Sequence, residues 1–272
     1  MTPLLLVAQI TVMASGGFRA ALQTLVPDFE RATGITVTIV AGPSQGSGPD
    51  TIGAQLRRGV AADMVIMSRE GLEELIADKR IVAGSEVDLA KTPLGVAVRA
   101  GAPKPDISSV DAVKQMLLRA KSVTFRSSTT GIYLTKTLFP RLGIADEMAR
   151  KSTTVGVSAV ANGDAEIALQ PISELLPQSG AEVVGPLPAQ IQYVSVFSAA
   201  VLTQSRDAAA CRRLIAYLAS EKADAAIAKA GMQRTASLRP AMPRVPLTSF
   251  LTGGPSNGAW SGAIFVLPSA RS

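Results

Sequence analysis

The chain has 272 residues, of which 47% are hydrophobic and only 4% aromatic, and it carries 27 Lys and Arg against 21 Asp and Glu. It contains no histidine and one cysteine, which excludes His-based catalytic triads, the usual zinc sites and an internal disulfide. The net charge of +6 is scattered along the chain and forms no basic stripe with interleaved aromatic residues. We therefore expect no nucleic-acid partner, and a mildly positive surface suits a small anionic ligand.

The first nine residues, MTPLLLVAQ, form a short apolar run without a basic start. A complete signal peptide has a longer apolar region and a positively charged beginning. The run therefore leaves two locations open: the cytoplasm, or the periplasm with a signal absent from this sequence. No stretch is long and apolar enough to span a bilayer, so we expect no stable membrane insertion.

Residues 10–30 predict a strand, a tight turn and a helix. The strand is followed by small residues at 14–17, and apolar residues then recur at helical spacing from Phe18 to Phe29. Pro27 lies inside this helix and would be expected to kink it. The free N–H groups at the helix start, next to the Ser15 hydroxyl, form a place where an anion can bind. An ordinary βα turn with a serine cap remains the alternative.

The following segments repeat this βα pattern. Residues 35–40 predict a strand, residues 41–49 (AGPSQGSGP) a loop, and Asp50 is a candidate cap for the next helix. Residues 62–67 predict a buried strand and residues 70–78 a helix. Repeated βα units of this kind are typical of a parallel sheet with helices on both faces.

A second set of elements begins at residue 94. Residues 94–99 predict a strand, 110–118 a helix, and 122–125 a strand that leads into a polar turn, RSSTTG, before another helix. Further along, we expect a helix from 154, a strand at 166–169 ending at Gln170, a long strand at 194–202 and an Ala-rich helix at 207–229 with Cys211 in the core. Residues 233–272 contain proline and glycine without a stable period and predict a poorly ordered tail that includes Trp260.

Four segments in order resemble periplasmic molybdate-binding proteins, which belong to the second structural class (type II) of bacterial solute-binding proteins. The segments are ITVMASGGFRAALQTLVPDFERATGITVTIV, LRRGVAADMVIMS, TTGIYLTKTLFPRLGI and LIAYLASEKADAAIAKAGM, and the resemblance covers about residues 9–232. It implies an α/β fold of two lobes, each a mixed sheet flanked by helices, with the ligand in the cleft between them. Lobe 1 would comprise residues 9–91 and 199–232, and lobe 2 residues 92–198.

In molybdate-binding proteins, hydroxyl groups and backbone N–H groups at helix starts hold the oxyanion, without charged side chains. The loop at 41–50 is longer than in the classical members, and Gln170 stands where the family has a tyrosine. Arg126, within the second polar turn, could form a bidentate pair with a carboxylate of the ligand. These departures favour a carboxylate-bearing ligand over molybdate. The ligand-binding candidates are Ser15, Gly16, Ser44, Ser47, Arg126, Ser128, Thr130, Thr154, Val155 and Gln170.

Each candidate has a structural alternative. Serine and threonine are common caps and turn formers, Arg126 could be a solvated charge, and Gln170 could pair with a loop. Tyr133 suits packing better than catalysis. Asp50, Glu166 and Glu174 are most simply surface or cap residues.

The resemblance implies a periplasmic binding protein, monomeric and without a cofactor or metal, that delivers a small oxyanion or organic-acid anion to an ABC permease. The alternative is an enzyme, because a divergent branch of the family, which the segments GPSQGS and QPISELLP resemble, is also similar to aconitate isomerase. Interconverting cis- and trans-aconitate requires an acid and a base beside the allylic carbon. The sequence singles out no residue for that role.

Overall fold

The computed structural model of the protein describes residues 8–235. The strands of this range are β1 Gln9–Ala14, β2 Thr36–Ala41, β3 Met64–Ser68, β4 Val87–Arg99, β5 Val123–Thr124, β6 Ser152–Thr153, β7 Ile167–Pro171, β8 Ala181–Pro186, β9 Val194–Val201 and β10 Gln233–Arg234. The α-helices of this range are α1 Gly16–Thr33, α2 Ile52–Arg57, α3 Arg69–Ala77, α4 Val110–Arg119, α5 Thr129–Tyr133, α6 Phe139–Leu142, α7 Ala145–Lys151, α8 Val157–Asn162, α9 Ile172–Leu175, α10 Ala208–Leu218 and α11 Asp224–Lys229. A π-helical turn at Leu134–Leu138 joins α5 to α6.

The strands pair in the order β2-β1-β3-β9-β4-β7-β5-β6, and β8 and β10 also pair with β4. β1 is parallel to β2 and β3, and β5 is parallel to β6 and β7, whereas β4 and β9 run antiparallel to their neighbours. β4 pairs with β9 and β10 over residues 87–93 and with β7 and β8 over residues 94–99. We call β1, β2, β3, β9, β10 and residues 87–93 of β4 the first half-sheet. The second half-sheet consists of β5, β6, β7, β8 and residues 94–99 of β4. The predicted mixed α/β fold is confirmed.

The core of the first half-sheet is built on α1. The predicted apolar face, from Phe18 to Phe29, is buried against β1 and α10. The helix ends at Gly34, whose φ of 68° suits glycine and whose N–H donates to the Glu30 carbonyl at 2.8 Å. Pro27 does not end the helix, which continues to Thr33. A Cβ on Gly17 would overlap the ring of Phe197, so this glycine lets the start of α1 approach β9 closely.

The core of the second half-sheet joins β4, β5 and β7 to α4 and to the segment from α5 to α6. Tyr133 stacks on Tyr193 with ring centroids 4.9 Å apart, and its hydroxyl donates to the Ile191 carbonyl at 2.9 Å. The packing role predicted for Tyr133 is therefore confirmed.

The prediction for Cys211 is confirmed, and the predicted start of the tail is wrong. Cys211 is fully buried in α10, as expected, and burial raises the pKa of its thiol to about 11. The predicted tail starts too early, because Gln233 and Arg234 pair with Lys91 and Ala90 of β4. The rest of that tail, including Trp260, and the N-terminal apolar run up to residue 7 lie outside the described residues. Within residues 8–235, no helix is long and apolar enough to cross a membrane.

Candidate functional site

A cavity of about 450 Å³ lies between the two half-sheets and takes its lining from both. Its volume falls in the range of small-molecule sites. From the side of the first half-sheet it is lined by Ser15, Gly16, Arg19, Ser44, Asp50 and Ser68. From the other side it is lined by Arg126, Ser128, Thr129, Thr130, Val157, Gln170, Ser173 and Glu174. Strand ends and helix starts therefore converge on one polar cavity.

The start of α1 supplies the first set of donors. Ser15 is only 3% exposed and occupies the N-cap position, yet its hydroxyl makes no capping hydrogen bond. No described group accepts from or donates to this hydroxyl. Because the first N–H groups of a helix have no intrahelical acceptor, the turn offers an unused hydroxyl and unused N–H groups side by side. This arrangement suits an anion.

The loop at 41–50 places only part of its predicted residues at the cavity. Ser44 is buried and lines the cavity, and its hydroxyl accepts a hydrogen bond from the Ser68 N–H at 2.8 Å. Ser47 is exposed and lies outside the lining, so its predicted place in the site is wrong. Asp50 does not cap α2, because Thr51 does, accepting from the Ala54 N–H at 3.3 Å.

The second polar turn meets the first half-sheet directly. The hydroxyls of Thr129 and Ser68 lie 2.8 Å apart in buried surroundings. A Cβ on Gly46, which has a φ of 124°, would overlap the Ser127 carbonyl oxygen, so the loop and the turn touch. Ser128, Thr130 and the exposed side chain of Arg126, three of the residues predicted to contact a ligand, line the cavity.

The helix start predicted at Thr154 and Val155 lies further along the chain. Both residues are exposed and outside the cavity lining, because α8 begins at Val157. Gly156 directly precedes it, with a φ of 88°, and its N–H donates to the Thr124 hydroxyl at 2.9 Å. The N–H groups of Gly156 and Val157, at the observed start of α8, both donate to side chains within the protein.

Gln170, predicted to bind the ligand or to pair with a loop, lines the cavity and also bonds to neighbouring protein groups. Its side chain is 2% exposed, and Oε1 accepts from the Val157 N–H at 2.5 Å. Its Nε2 donates to Glu174 Oε2 at 2.5 Å. Gln170 thus anchors α8 and at the same time orients a carboxylate.

Glu174 is the main correction to the sequence-based prediction. We expected a surface or cap residue, but Glu174 is half-buried and lines the cavity. Its Oε1 would lie 3.4 Å from a Cβ on Gly16, which places the carboxylate beside the start of α1. Helical spacing could not have signalled this contact, because Gln170 belongs to β7 and Glu174 to α9, and only the direct passage from β7 into α9 brings the two side chains together.

Burial and the neighbouring polar groups have opposite effects on the pKa of the Glu174 carboxyl group. Burial raises the pKa of Glu174, while the hydrogen bond from Gln170 and the charges of Arg126 and Arg19 lower it, and the pKa stays above the ordinary glutamate value. The carboxyl group therefore holds a proton more readily than an exposed glutamate. The two guanidinium groups, in turn, suit carboxylates of a ligand.

Sequence reasoning also missed Arg19, Ser68 and Thr129. Arg19 follows Ser15 by one helical turn, a spacing that puts both on one face. Ser68 ends a buried strand, where the carboxyl end of a parallel sheet collects functional groups. Within residues 8–235, no cluster of acidic or cysteine side chains has the arrangement of a metal site.

The chain is 38% identical over 239 residues to an aconitate isomerase from a Pseudomonas species, with 85% of this chain and 91% of that protein covered. The periplasmic molybdate-binding protein of Azotobacter vinelandii shares the fold, with a TM-score of 0.67, 21% identity and coverage of 82% of this chain and 98% of that chain. The sulfate-binding protein SubI of Mycobacterium tuberculosis shares it with a TM-score of 0.65, 17% identity and coverage of 84% and 88%.

These likenesses confirm the two-lobed fold and the resemblance to molybdate-binding proteins. The family described as bacterial extracellular solute-binding protein matches residues 10–233, which is most of the chain. The protein therefore belongs to the bacterial extracellular solute-binding protein family.

Proposed function

We propose that the protein binds a small organic-acid anion with two or more carboxylates in the cavity between the half-sheets. The observation that carries this proposal is the pair of arginines, Arg19 and Arg126, which line one cavity from opposite sides. A guanidinium group matches a carboxylate in shape and charge, and two of them suit a ligand with two carboxylates. The unused hydroxyl of Ser15 and the start of α1 add neutral donors for a further oxygen.

The comparisons support an anion and favour an organic one. The structural neighbours named for molybdate and sulfate share only the fold with this chain. The aconitate isomerase is related at 38% identity, and aconitate is a tricarboxylate. Aconitate is therefore the first probe for the cavity.

Thermal unfolding with added anions tests the proposal. We expect cis- or trans-aconitate to raise the melting temperature in a concentration-dependent manner, because a ligand that binds the native state stabilises it. Molybdate, tungstate and sulfate at the same concentrations should raise it less. If no anion stabilises the protein at millimolar concentration, the proposal is wrong.

For the cellular role, we propose a monomeric periplasmic protein that presents its ligand to an ABC permease. Membership of an extracellular solute-binding family supports this role. Permease and ATPase genes beside the coding gene would agree with transport. Failure of the purified protein to run as a monomer in size-exclusion chromatography with light scattering would contradict the proposed state.

The second candidate is an isomerase that interconverts cis- and trans-aconitate. The specific observation in its favour is that the carboxylate of Glu174 lines the cavity. A relative at 38% identity is also named as an aconitate isomerase. Incubation of the purified protein with each isomer, followed by proton NMR, separates the candidates. A transport protein returns its ligand unchanged, whereas an isomerase brings both starting solutions to the same mixture.

A further inference from the structure

We propose that Glu174 is the proton-transferring group of the cavity and that the site catalyses a 1,3-proton shift on an unsaturated polycarboxylate. This inference rests on the proposed binding of an organic acid in the same cavity. It develops the isomerase candidate by assigning to Glu174 the acid–base role for which the sequence singles out no residue.

The choice of residue follows from the groups available. The sequence has no histidine. Among the described residues that line the cavity, the acidic side chains are Asp50 and Glu174, and the lining includes no lysine, tyrosine or cysteine. Asp50 is exposed, whereas Glu174 is half-buried beside the start of α1. A catalytic base must reach the bound ligand and be shielded from water. Of the two acidic side chains, Glu174 meets both conditions better than Asp50.

A chain of hydrogen bonds holds this carboxylate in place. The Val157 N–H donates to Gln170 Oε1, and Gln170 Nε2 donates to Glu174 Oε2. Gln170 is buried at the end of β7, so its position is fixed by the sheet. Oε2 is thus engaged, and Oε1 lies towards Gly16. A ligand carboxylate bound at the start of α1 brings the adjacent carbon close to Oε1.

The environment suits a group that both takes and returns a proton. Burial raises the pKa of Glu174, and the facing charges, Arg19 on α1 and Arg126 after β5, limit the rise. Asp50 in the 41–50 loop is the other acidic group at the cavity. Acid–base catalysis is most effective when the pKa of the group lies near the working pH.

The step balances without an oxidant or a cofactor. Ionised Glu174 removes a proton from the methylene carbon next to the double bond, and the electron pair of that C–H bond becomes part of a new double bond. The electrons of the original double bond then form a C–H bond at the far alkene carbon, with the proton returned by Glu174. The carboxylate ends as it began. Arg19 and Arg126 stabilise the negative charge that develops in between.

The test uses the full chain and both aconitate isomers. We expect Glu174→Gln to lower the isomerisation rate measured by NMR by about a hundredfold or more. Calorimetry should find aconitate affinity within a few-fold of wild type, because the amide keeps the shape and the hydrogen bond to Gln170. The control, Glu73→Gln, makes the same change at an exposed glutamate on α3 and should leave rate and affinity unaltered. The wild-type rate should also fall as the pH drops through the pKa of Glu174, above the ordinary 4.5.

The outcomes separate the two proposals. If no aconitate isomer binds the wild type, the proposed ligand class is wrong. If aconitate binds but is never isomerised, the ligand class stands and the proton-transfer role is overturned. A loss of rate with Asp50→Asn and not with Glu174→Gln also overturns the assignment to Glu174. The pH profile of the wild type gives an answer even if Glu174→Gln does not fold.

Discussion

At the residue scale, the turn RSSTTG contributes the charge that distinguishes this cavity from one built only of neutral donors. We predict that Arg126→Ala weakens aconitate binding by about tenfold to a hundredfold, the range for a lost hydrogen bond between charged groups. Isothermal titration calorimetry measures the effect. Arg119→Ala, which removes an exposed arginine of α4, is the matched control. Unchanged affinity in Arg126→Ala would remove the reason to prefer a carboxylate ligand.

Asp63, just before β3, is a charged residue with a structural role. It is 1% exposed, and it accepts hydrogen bonds from the N–H groups of Thr11 and Arg206, each at 2.8 Å. Burial alone would raise the pKa of Asp63, but these hydrogen bonds and the Arg206 guanidinium outweigh it and hold the pKa below its ordinary value. The ionised form is therefore the one that stabilises the fold.

Ionised Asp63 makes the free energy of unfolding depend on pH. A pKa that is lower in the folded state stabilises the protein above the unfolded value of about 3.8, and this stabilisation is lost as the pH falls through the folded value. We predict that Asp63→Asn costs about 1–3 kcal/mol at pH 7. The difference from wild type should shrink below about pH 4. Urea denaturation at both pH values measures it, with the exposed Asp164→Asn as the control. A difference that does not change with pH contradicts this account.

At the element scale, two helix starts use serine differently. Ser109 caps α4, because its hydroxyl accepts from the Ala112 N–H at 3.1 Å. Ser15 occupies the same position on α1, and its hydroxyl has no hydrogen-bond partner among residues 8–235. A serine that leaves its own helix uncapped is available to a ligand.

This contrast gives a prediction. Ser109→Ala should lower the free energy of unfolding by about 0.5–2 kcal/mol, the usual cost of a lost cap. Ser15→Ala should change it little, because removing an unpaired buried hydroxyl relieves a desolvation cost. Ser15→Ala should instead weaken aconitate binding, and Ser109→Ala should not. Urea denaturation and calorimetry on both variants give the answer, and a large loss of stability in Ser15→Ala would show that the hydroxyl has a structural partner.

At the scale of the whole molecule, β4 runs through both half-sheets, and the halves also touch across the cavity. We propose that the lobes comprise residues 9–91 with 199–232 and residues 92–198. The change of β4 partners between Pro93 and Leu94 lies close to the first of these boundaries. The Ser68–Thr129 hydroxyl pair lies across this division. In a two-lobed binder, contacts made only when the lobes are close favour the closed state.

We predict that Thr129→Val opens the ligand-free protein. The change keeps the side-chain shape but removes the hydrogen bond to Ser68, which is worth about 1 kcal/mol and shifts the equilibrium about fivefold. Small-angle X-ray scattering should give a larger radius of gyration for the variant, and aconitate should reduce it again. Thr24→Val, which removes a hydroxyl bonded within α1, is the control. Equal radii for the variant and the wild type would mean that this hydrogen bond does not hold the halves together.

The sequence by itself determined most strands and helices in chain order, although not β6, β8, β10, α7 and α9. It also determined the apolar face of α1, the βα units of the first half-sheet and the family. These features depend on local periodicity, because the spacing of apolar residues decides which face of an element is buried. It also indicated the two turns, at Ser15 and at Arg126 to Thr130, because strands that lead into polar turns place them at a sheet edge.

Only the tertiary structure decided which polar residues face one another. Ser47, Thr154 and Val155 belong to polar or turn-like segments, as the site residues do, yet they lie outside the cavity. Glu174 resembles a surface residue in the sequence, but α9 follows β7 so closely that its carboxylate lies beside α1. These positions depend on β4, which runs through both half-sheets and pairs with residues about a hundred positions away, as in Pro93 with Val194. Local patterns record burial within one element, whereas contacts between distant elements arise only when the sheet forms.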